Sequence, residues 1–239
     1  MRPFDSRHRY GLISKGQSKS GKSLLFHQWN YKSSSNEAAV VFPDGCCDVI
    51  CSSPDTESAT VFATEWDTRP RLTLLSAGAS LTGYRLKPGV TIAADVVAEM
   101  CRDPAQIEKL IKETCQEDTE ISGIIAALSL PSATVAQVAR QSGTTPRTLQ
   151  RRFQELSLPA PDFWRLLARA RRAVAALPYR VPLADIACAY GYADQAHMSR
   201  EFVRWFGLSP AHLRQNTVMI EEICQSGLGT WSDDCPLEL

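Results

Sequence analysis

No run in this 239-residue chain approaches the roughly 18 consecutive apolar residues that would cross a bilayer, and no signal peptide opens it. None of its eight cysteines, at positions 46, 47, 51, 101, 115, 188, 224 and 235, belongs to a CxxC pair. A helical membrane protein, a secreted disulfide scaffold and a zinc ribbon are disfavoured, and a reducing cytoplasm fits. There is no Gly-x-Ser-x-Gly nucleophile elbow, and the histidines of the N-terminal half, His8 and His27, do not suggest a metal-dependent enzyme. The sequence therefore predicts no catalysis, no metal and no cofactor.

Net charge is missing too, because 26 basic residues balance 26 acidic ones. The balance hides a division along the chain. Residues 132–217 carry twelve Arg, no Lys and five acids, a net of +7; residues 1–131 carry −2, and residues 218–239 carry five acids and no base. A basic module of this kind is the electrostatic footprint of phosphate contacts. With 44% hydrophobic residues the chain is long enough for two small domains.

The basic stretch repeats itself. Val138-Ala139-Arg140-Gln141-Ser142-Gly143 leads into Thr145-Pro146-Arg147-Thr148-Leu149-Gln150-Arg151-Arg152-Phe153. Ile186-Ala187-Cys188-Ala189-Tyr190-Gly191 leads into Asp194-Gln195-Ala196-His197-Met198-Ser199-Arg200-Glu201-Phe202. Each copy reads as a short helix ending at Gly, a tight turn, and a second helix that starts on a polar cap and turns a Leu or Met and a Phe inward. Ala139 and Ala187 are 48 residues apart, Phe153 and Phe202 are 49. Two helix-turn-helix units at fixed separation predict double-stranded DNA as the partner, read in two successive major grooves.

Upstream, β-type runs at Gly11–Ile13, Leu24–Tyr31, Ala38–Phe42, Asp48–Cys51, Ala59–Ala63, Leu72–Leu75 and Leu81–Leu86 alternate with turn chemistry such as Pro43-Asp44-Gly45 and Lys87-Pro88-Gly89. Many short strands predict a small barrel or sandwich. From Ala94 the period becomes helical. Ile107, Leu110 and Ile111 form one stripe, and Ile121, Ile124, Ile125 and Leu128 another, ended by Pro131. A further helix opens at Pro161-Asp162 and joins the two units. Its Arg165, Arg169 and Arg172 read equally as phosphate contacts or as a solvated face. The expected architecture is α+β: residues 1–117 a β-rich, barrel-like domain with C-terminal helices, residues 118–217 an all-α domain of two helix-turn-helix subdomains on a linker helix, and residues 218–239 an acidic tail. That tail has no helical periodicity and is expected either to be disordered or to pack on the basic module.

The second helix of each unit presents its exposed N-terminal positions to base edges. In the first unit these are Arg147, Gln150 and Arg151; in the second they are Gln195, Ala196 and Ser199. Arg152 and Arg200 are placed for the DNA backbone. Arg pairs with guanine and Gln with adenine, each bidentate contact being worth roughly 1–3 kcal/mol of discrimination. Leu149, Phe153, Met198, Phe202, Ala139, Ala187 and Tyr192 read as core, and His197 as a packed residue rather than a ligand.

On these motifs, and on Gly207-Leu208-Ser209-Pro210-Ala211-His212-Leu213-Arg214, residues 119–216 resemble the DNA-binding domain of the AraC family of bacterial transcription regulators. The resemblance implies seven helices in two subdomains joined by a long helix, contact with RNA polymerase, and the base-reading positions named above. Pro43-Asp44-Gly45-Cys46-Cys47-Asp48-Val49-Ile50 and Gly83-Tyr84-Arg85-Leu86-Lys87-Pro88-Gly89 resemble a β-rich N-terminal domain of some such regulators, which implies a small-molecule effector and leaves dimerisation open. One position departs: Gly207 follows the second Phe by five residues, whereas Leu158 holds the corresponding place in the first unit. A left-handed helix end costs Leu, so a reshaped turn is expected between Ser157 and Pro159.

Two rival chemistries are present. Gly16-Gln17-Ser18-Lys19-Ser20-Gly21-Lys22-Ser23 matches the phosphate-binding P-loop pattern, with Lys22 and Ser23 in the phosphate and magnesium positions, but β-type residues follow it where a helix is required. Cys46, Cys47 and Cys51 would suit a thiol- or metal-responsive site, since Cys47 and Cys51 share one face of a strand.

Overall fold

The computed structural model describes residues 14–15, 25–53, 59–115 and 117–231. The P-loop-like segment, the run Gly11–Ile13 and Cys235 lie outside these.

Among the described residues seven strands form, each close to a predicted run where that run is described: β1 (Ser14–Lys15), β2 (Phe26–Lys32), β3 (Glu37–Val41), β4 (Asp48–Ser53), β5 (Thr60–Ala63), β6 (Arg71–Leu75) and β7 (Ser80–Leu86). Five make an antiparallel sheet in the order β1-β2-β7-β4-β5, and β3 pairs with β6 in a separate ribbon. Alternation along the strands decides the two faces of the larger sheet. Phe26, Val49, Val61 and Leu86 point one way and are buried with Met100, Ile107 and Ile111. Those last three come from α1 (Ala94–Arg102) and α2 (Ile107–Thr114), which are separated by a turn that Pro104 opens. Trp29, Ile50, Phe62 and Arg85 take the opposite parity.

The remaining helices are α3 (Thr119–Ser129), α4 (Val135–Gln141), α5 (Pro146–Glu155), α6 (Pro161–Ala175), α7 (Leu183–Ala189), α8 (Gln195–Phe206), α9 (Pro210–Leu213) and α10 (Thr217–Ile223). Their starts are chemically marked. The side chains of Asp118, Thr134, Thr145, Asp194, Ser209 and Asn216 each accept a hydrogen bond from a backbone N–H of the first turn, and Thr134 with Gln137 completes a capping box. Each helix then buries the stripe that its period sets. Leu149 and Phe153, Met198 and Phe202, and Trp164 and Leu167 of α6 are all buried within one hydrophobic core.

That core crosses between the halves of the molecule. Val40 and Phe42 belong to it, Phe42 meets Phe206 edge to face, and Trp66 meets Trp164 in the same way with ring centroids 5.2 Å apart. Gly89, at φ +88°, lets the β7–α1 connection run under α3, where a Cβ would sit 2.5 Å from Ile125.

One expectation changes here and another is met in a particular way. The acidic tail is not without helix: Asn216 caps α10, which buries Met219, Ile220 and Ile223, and Leu228 beyond it is buried too. A seven-residue helix is too short for its period to stand out, which is why the sequence did not reveal it. The turn after α5 is reshaped, and the left-handed residue is Ser157 (φ 56°) rather than Leu158. Leu158 is buried and donates its N–H to Phe153 O at 2.8 Å, so its side chain joins the core while its neighbour bears the unfavourable backbone.

Candidate nucleic-acid interface

Helices α4–α5 and α7–α8 are the two helix-turn-helix units. In each, a glycine with positive φ, Gly143 (65°) and Gly191 (70°), makes the turn, and neither would meet an atom within 4 Å if it carried a Cβ. Backbone conformation, not crowding, therefore requires glycine at both places. Thr144 N–H closes on Ala139 O and Tyr192 N–H on Ala187 O, both at 2.9 Å, so the two turns share one geometry.

On α5, Arg147, Gln150 and Arg151 are exposed and, with Thr148 and Gln154, line one surface groove. On α8, Gln195 and Ala196 are exposed, while Ser199 is half-buried and its hydroxyl donates back to Gln195 O at 2.9 Å. Arg200 is exposed. Arg152 is placed differently from expectation: it reaches α3, pairing with Glu120 and lying 3.7 Å from Asp118. Those acids, two residues apart at the start of α3, hold it against the neighbouring helix. His197 is a packing residue, with its Nδ1 accepting from Ala193 N–H and its ring set edge-on to Tyr192. Tyr192 is buried as expected, and desolvation by burial followed by the charge of Glu201 raises its phenol pKa.

The linker helix resolves the ambiguity of its arginines. Arg169 donates to Glu201 on α8 at 2.9 Å and to Gly191 O at 3.1 Å, and stacks on the Tyr192 ring. Arg172 donates to Ser129 O on α3, and Arg165 pairs with Asp162. Arg169 ties α6 to the second unit and Arg172 ties it to α3, while Arg165 pairs within α6. Of the twelve arginines of residues 132–217, six are exposed: Arg140, Arg147, Arg151, Arg180, Arg200 and Arg204.

A second feature lies where the sheets meet the linker helix. A cavity of about 310 Å³ is bounded by β2–β7 together with Arg171 of α6 and Glu222 and Gln225 of the tail. Its floor is a cross-strand row, Trp29–Gly83–Ile50–Phe62. Trp29 lies flat over Gly83, where a Cβ would come within 2.0 Å of the indole. At the buried end Arg85 sits 3.2 Å from Asp44 and 3.4 Å from Asp48, and Trp29 Nε1 donates to Asp48 at 2.8 Å. Burial works against the charge on Arg85, but Asp44 and then Asp48 more than offset it, so its pKa rises. Arg171, buried on α6, donates to Gln225 O, Leu228 O and the Thr230 hydroxyl, while Leu228 N–H donates to Asp44 O at 2.7 Å. Desolvation lowers the Arg171 pKa. Residues 217–231 thus form a strap between the β-rich half and the helix that carries both reading units. The sequence reading missed Arg171, although its place between Leu167 and Val174 on the apolar stripe of α6 was the signal that could have found it.

The rival sites fare differently. Residues after the P-loop-like segment form strand β2, not the helix that a phosphate loop opens. Cys47 and Cys51 do share a face, but desolvation pushes the Cys46 and Cys47 thiols well up, away from the reactive thiolate. Among the described residues no three or more His, Cys, Asp or Glu side chains are grouped to hold a metal ion, and no helix is long and apolar enough to cross a membrane.

Two capped helix-turn-helix units on one rigid helix, with polar and cationic side chains on the second helix of each, define a DNA-binding module. Residues 138–216 match the family model described as a helix-turn-helix domain, of the AraC type. Over 80 residues the chain is 40% identical to the HTH-type transcriptional regulator VirS of Mycobacterium tuberculosis, a match covering 32% of this chain and 23% of that protein. The chain thus spans under a quarter of the length of the curated relatives it matches. Among solved structures it is similar to the C-terminal domain of AraT, a response regulator from Geobacillus stearothermophilus (26% identity, 40% of this chain and 80% of that one, TM-score 0.34). It is also similar to ToxT from Vibrio cholerae (9% identity, 80% and 98%, TM-score 0.45).

Proposed function

We propose that the chain is a cytoplasmic, sequence-specific transcription regulator that reads DNA through α5 and α8 and is controlled by a small molecule bound to its β-rich half. Residues 118–217 are the reading part and residues 1–117 the sensing part. The observation that carries this reading is the groove of α5, where Arg147, Gln150 and Arg151 stand together and exposed, Arg151 in a solvent-exposed 3.5 Å pair with Glu155 that a base edge would replace. Gln195 and Ala196 take the same position on α8, with Ser199 beside them. Arg200 serves the backbone, as does Arg152 if the DNA phosphate displaces Glu120. The control reading is supported by the cavity and by the strap that ties its wall to α6. Contact with RNA polymerase follows from regulator function.

A site selected from random duplex DNA, followed by fluorescence anisotropy on the best sequence, tests the reading. Arg151→Ala with Gln195→Ala should weaken binding to that site by on the order of 100-fold, at roughly 1–3 kcal/mol per lost contact, and leave non-specific binding nearly unchanged. Equal affinity of the double variant for the selected site would remove these residues from base reading.

A further inference from the structure

The walls of the cavity define what it can hold. Its body is apolar and aromatic, built from Trp29, Phe42, Ile50, Phe62 and Leu75. At its buried end three carboxylates, Asp44, Asp48 and Glu222, face two guanidiniums, Arg85 and Arg171. Both guanidiniums are engaged, Arg85 by Asp44 and Asp48, and Arg171 by two carbonyls and a hydroxyl. Asp44 also accepts from Cys46 N–H, and Asp48 from Trp29. Glu222 Oε2 is buried and accepts no hydrogen bond among the described residues. Arg85 Nε is likewise buried without a hydrogen bond, but it lies 3.4 Å from Asp48 and its charge is matched, so the charge left without a counterpart, three carboxylates against two guanidiniums, is negative and the unbonded acceptor is Glu222.

From this balance we infer that the cavity binds a monocationic amphiphile, an alkyl or aryl body carrying one primary amine, with the ammonium held by Glu222 and the body lying on Trp29 and Phe62. An anionic ligand would meet three carboxylates, a guanidinium already ion-paired to two of them and another held by carbonyls and a hydroxyl, whereas an ammonium completes both the hydrogen bond and the charge of Glu222. The faces of Trp29 and Tyr31 favour a cation for the same electrostatic reason. The volume is at the small end of ligand sites, which limits the body to a single chain or one or two rings. Glu222 stands on α10, at the root of the strap whose Gln225 and Leu228 hold Arg171, so an occupied site acts on the position of the linker helix. This identity of the ligand rests on the reading of the β-rich half as the sensor.

Three molecules with one tail and different heads decide the matter: n-octylamine, octanoate and octan-1-ol, titrated calorimetrically into the full chain at about pH 8. The amine should bind at least about tenfold more tightly than either of the others, equivalent to one satisfied charge. Glu222→Gln should remove that advantage, and Ile50→Phe, which fills the cavity floor, should abolish binding of the amine. Far-UV circular dichroism verifies the fold of each variant. Octanoate binding as tightly as the amine, an unchanged amine affinity in Glu222→Gln or Ile50→Phe, or no binding of any of the three overturns the assignment. DNA affinity is measured in parallel on the selected site. Amine binding at Glu222 that leaves DNA affinity unaltered overturns the sensor reading and keeps the ligand class; tight DNA binding with no amine binding overturns the ligand class and keeps the DNA reader.

Discussion

Glu222 and Gly83 illustrate how single residues set the cavity. Desolvation raises the Glu222 carboxyl to about 7 despite the opposing pull of Arg85, and Tyr31 faces it from β2. A carboxyl whose folded pKa lies above its unfolded value contributes stability that is complete below the unfolded pKa and is lost as pH rises through the folded one. The wild-type protein should therefore lose stability between about pH 4.5 and about pH 7.5, by on the order of 1–2 kcal/mol after allowance for partial exposure, and Glu222→Gln should flatten that segment of a chemical-denaturation profile. A steeper loss in the variant would contradict the assignment. Gly83 is needed for contact, not for backbone freedom, since the Trp29 indole occupies the place of its side chain. Gly83→Ala should cost about 1–3 kcal/mol and shift tryptophan emission as Trp29 is displaced; an unchanged melting profile would refute the contact.

At the level of elements, the two helix-turn-helix units differ in one turn. Gly207 (φ 73°) ends α8 in the left-handed region at no cost, while Ser157 (φ 56°) does the same after α5 and bears the penalty of a side chain there. Ser157→Gly should stabilise the protein by about 1 kcal/mol, visible as a raised melting temperature, and Leu158→Gly should destabilise it because a buried side chain is lost. The opposite order would mean that the left-handed position had been misplaced. Caps behave more simply: the hydroxyl of Thr145 and the carboxylate of Asp194 serve equivalent N–H groups, and either residue changed to Ala should cost about 1 kcal/mol and weaken DNA binding only through the fraying of its helix.

For the whole molecule, charge and connectivity matter more than any one contact. Only six of the twelve arginines of residues 132–217 are exposed, the rest being half-buried or buried. With about 0.9 of a counterion released per neutralised phosphate, the module's slope of log affinity against log salt should not be steeper than about −5. A measured slope near −10 would require phosphate contacts beyond this set. The strap makes a second prediction. Leu228 packs against Gly45, its N–H binds Asp44 O and its carbonyl receives Arg171. Leu228→Asp should loosen the β-rich half from α6 and split one calorimetric transition into two. A single transition at lower temperature would mean that the halves remain coupled through Trp66–Trp164 and Phe42–Phe206 instead.

Much of this organisation was legible in the residues themselves. Strand positions followed from alternation, the reading helices from caps and inward Leu, Met and Phe at fixed spacing, and the basic module from the distribution of arginine, because each of these depends on neighbours within a few residues. What the sequence alone could not disclose was the fate of groups that act over long separations. Arg152 reads as a phosphate contact and Arg169 and Arg172 as part of a charged face, yet tertiary contacts with Glu120, Glu201 and Ser129 decide that they hold helices together. Arg171 and Glu222 stand 51 positions apart and meet Asp44 and Arg85 only because the core closes across both halves. Local sequence set the elements, since helix and strand obey short periods; tertiary structure set the cavity and its charge, since desolvation and pairing exist only once distant segments are packed.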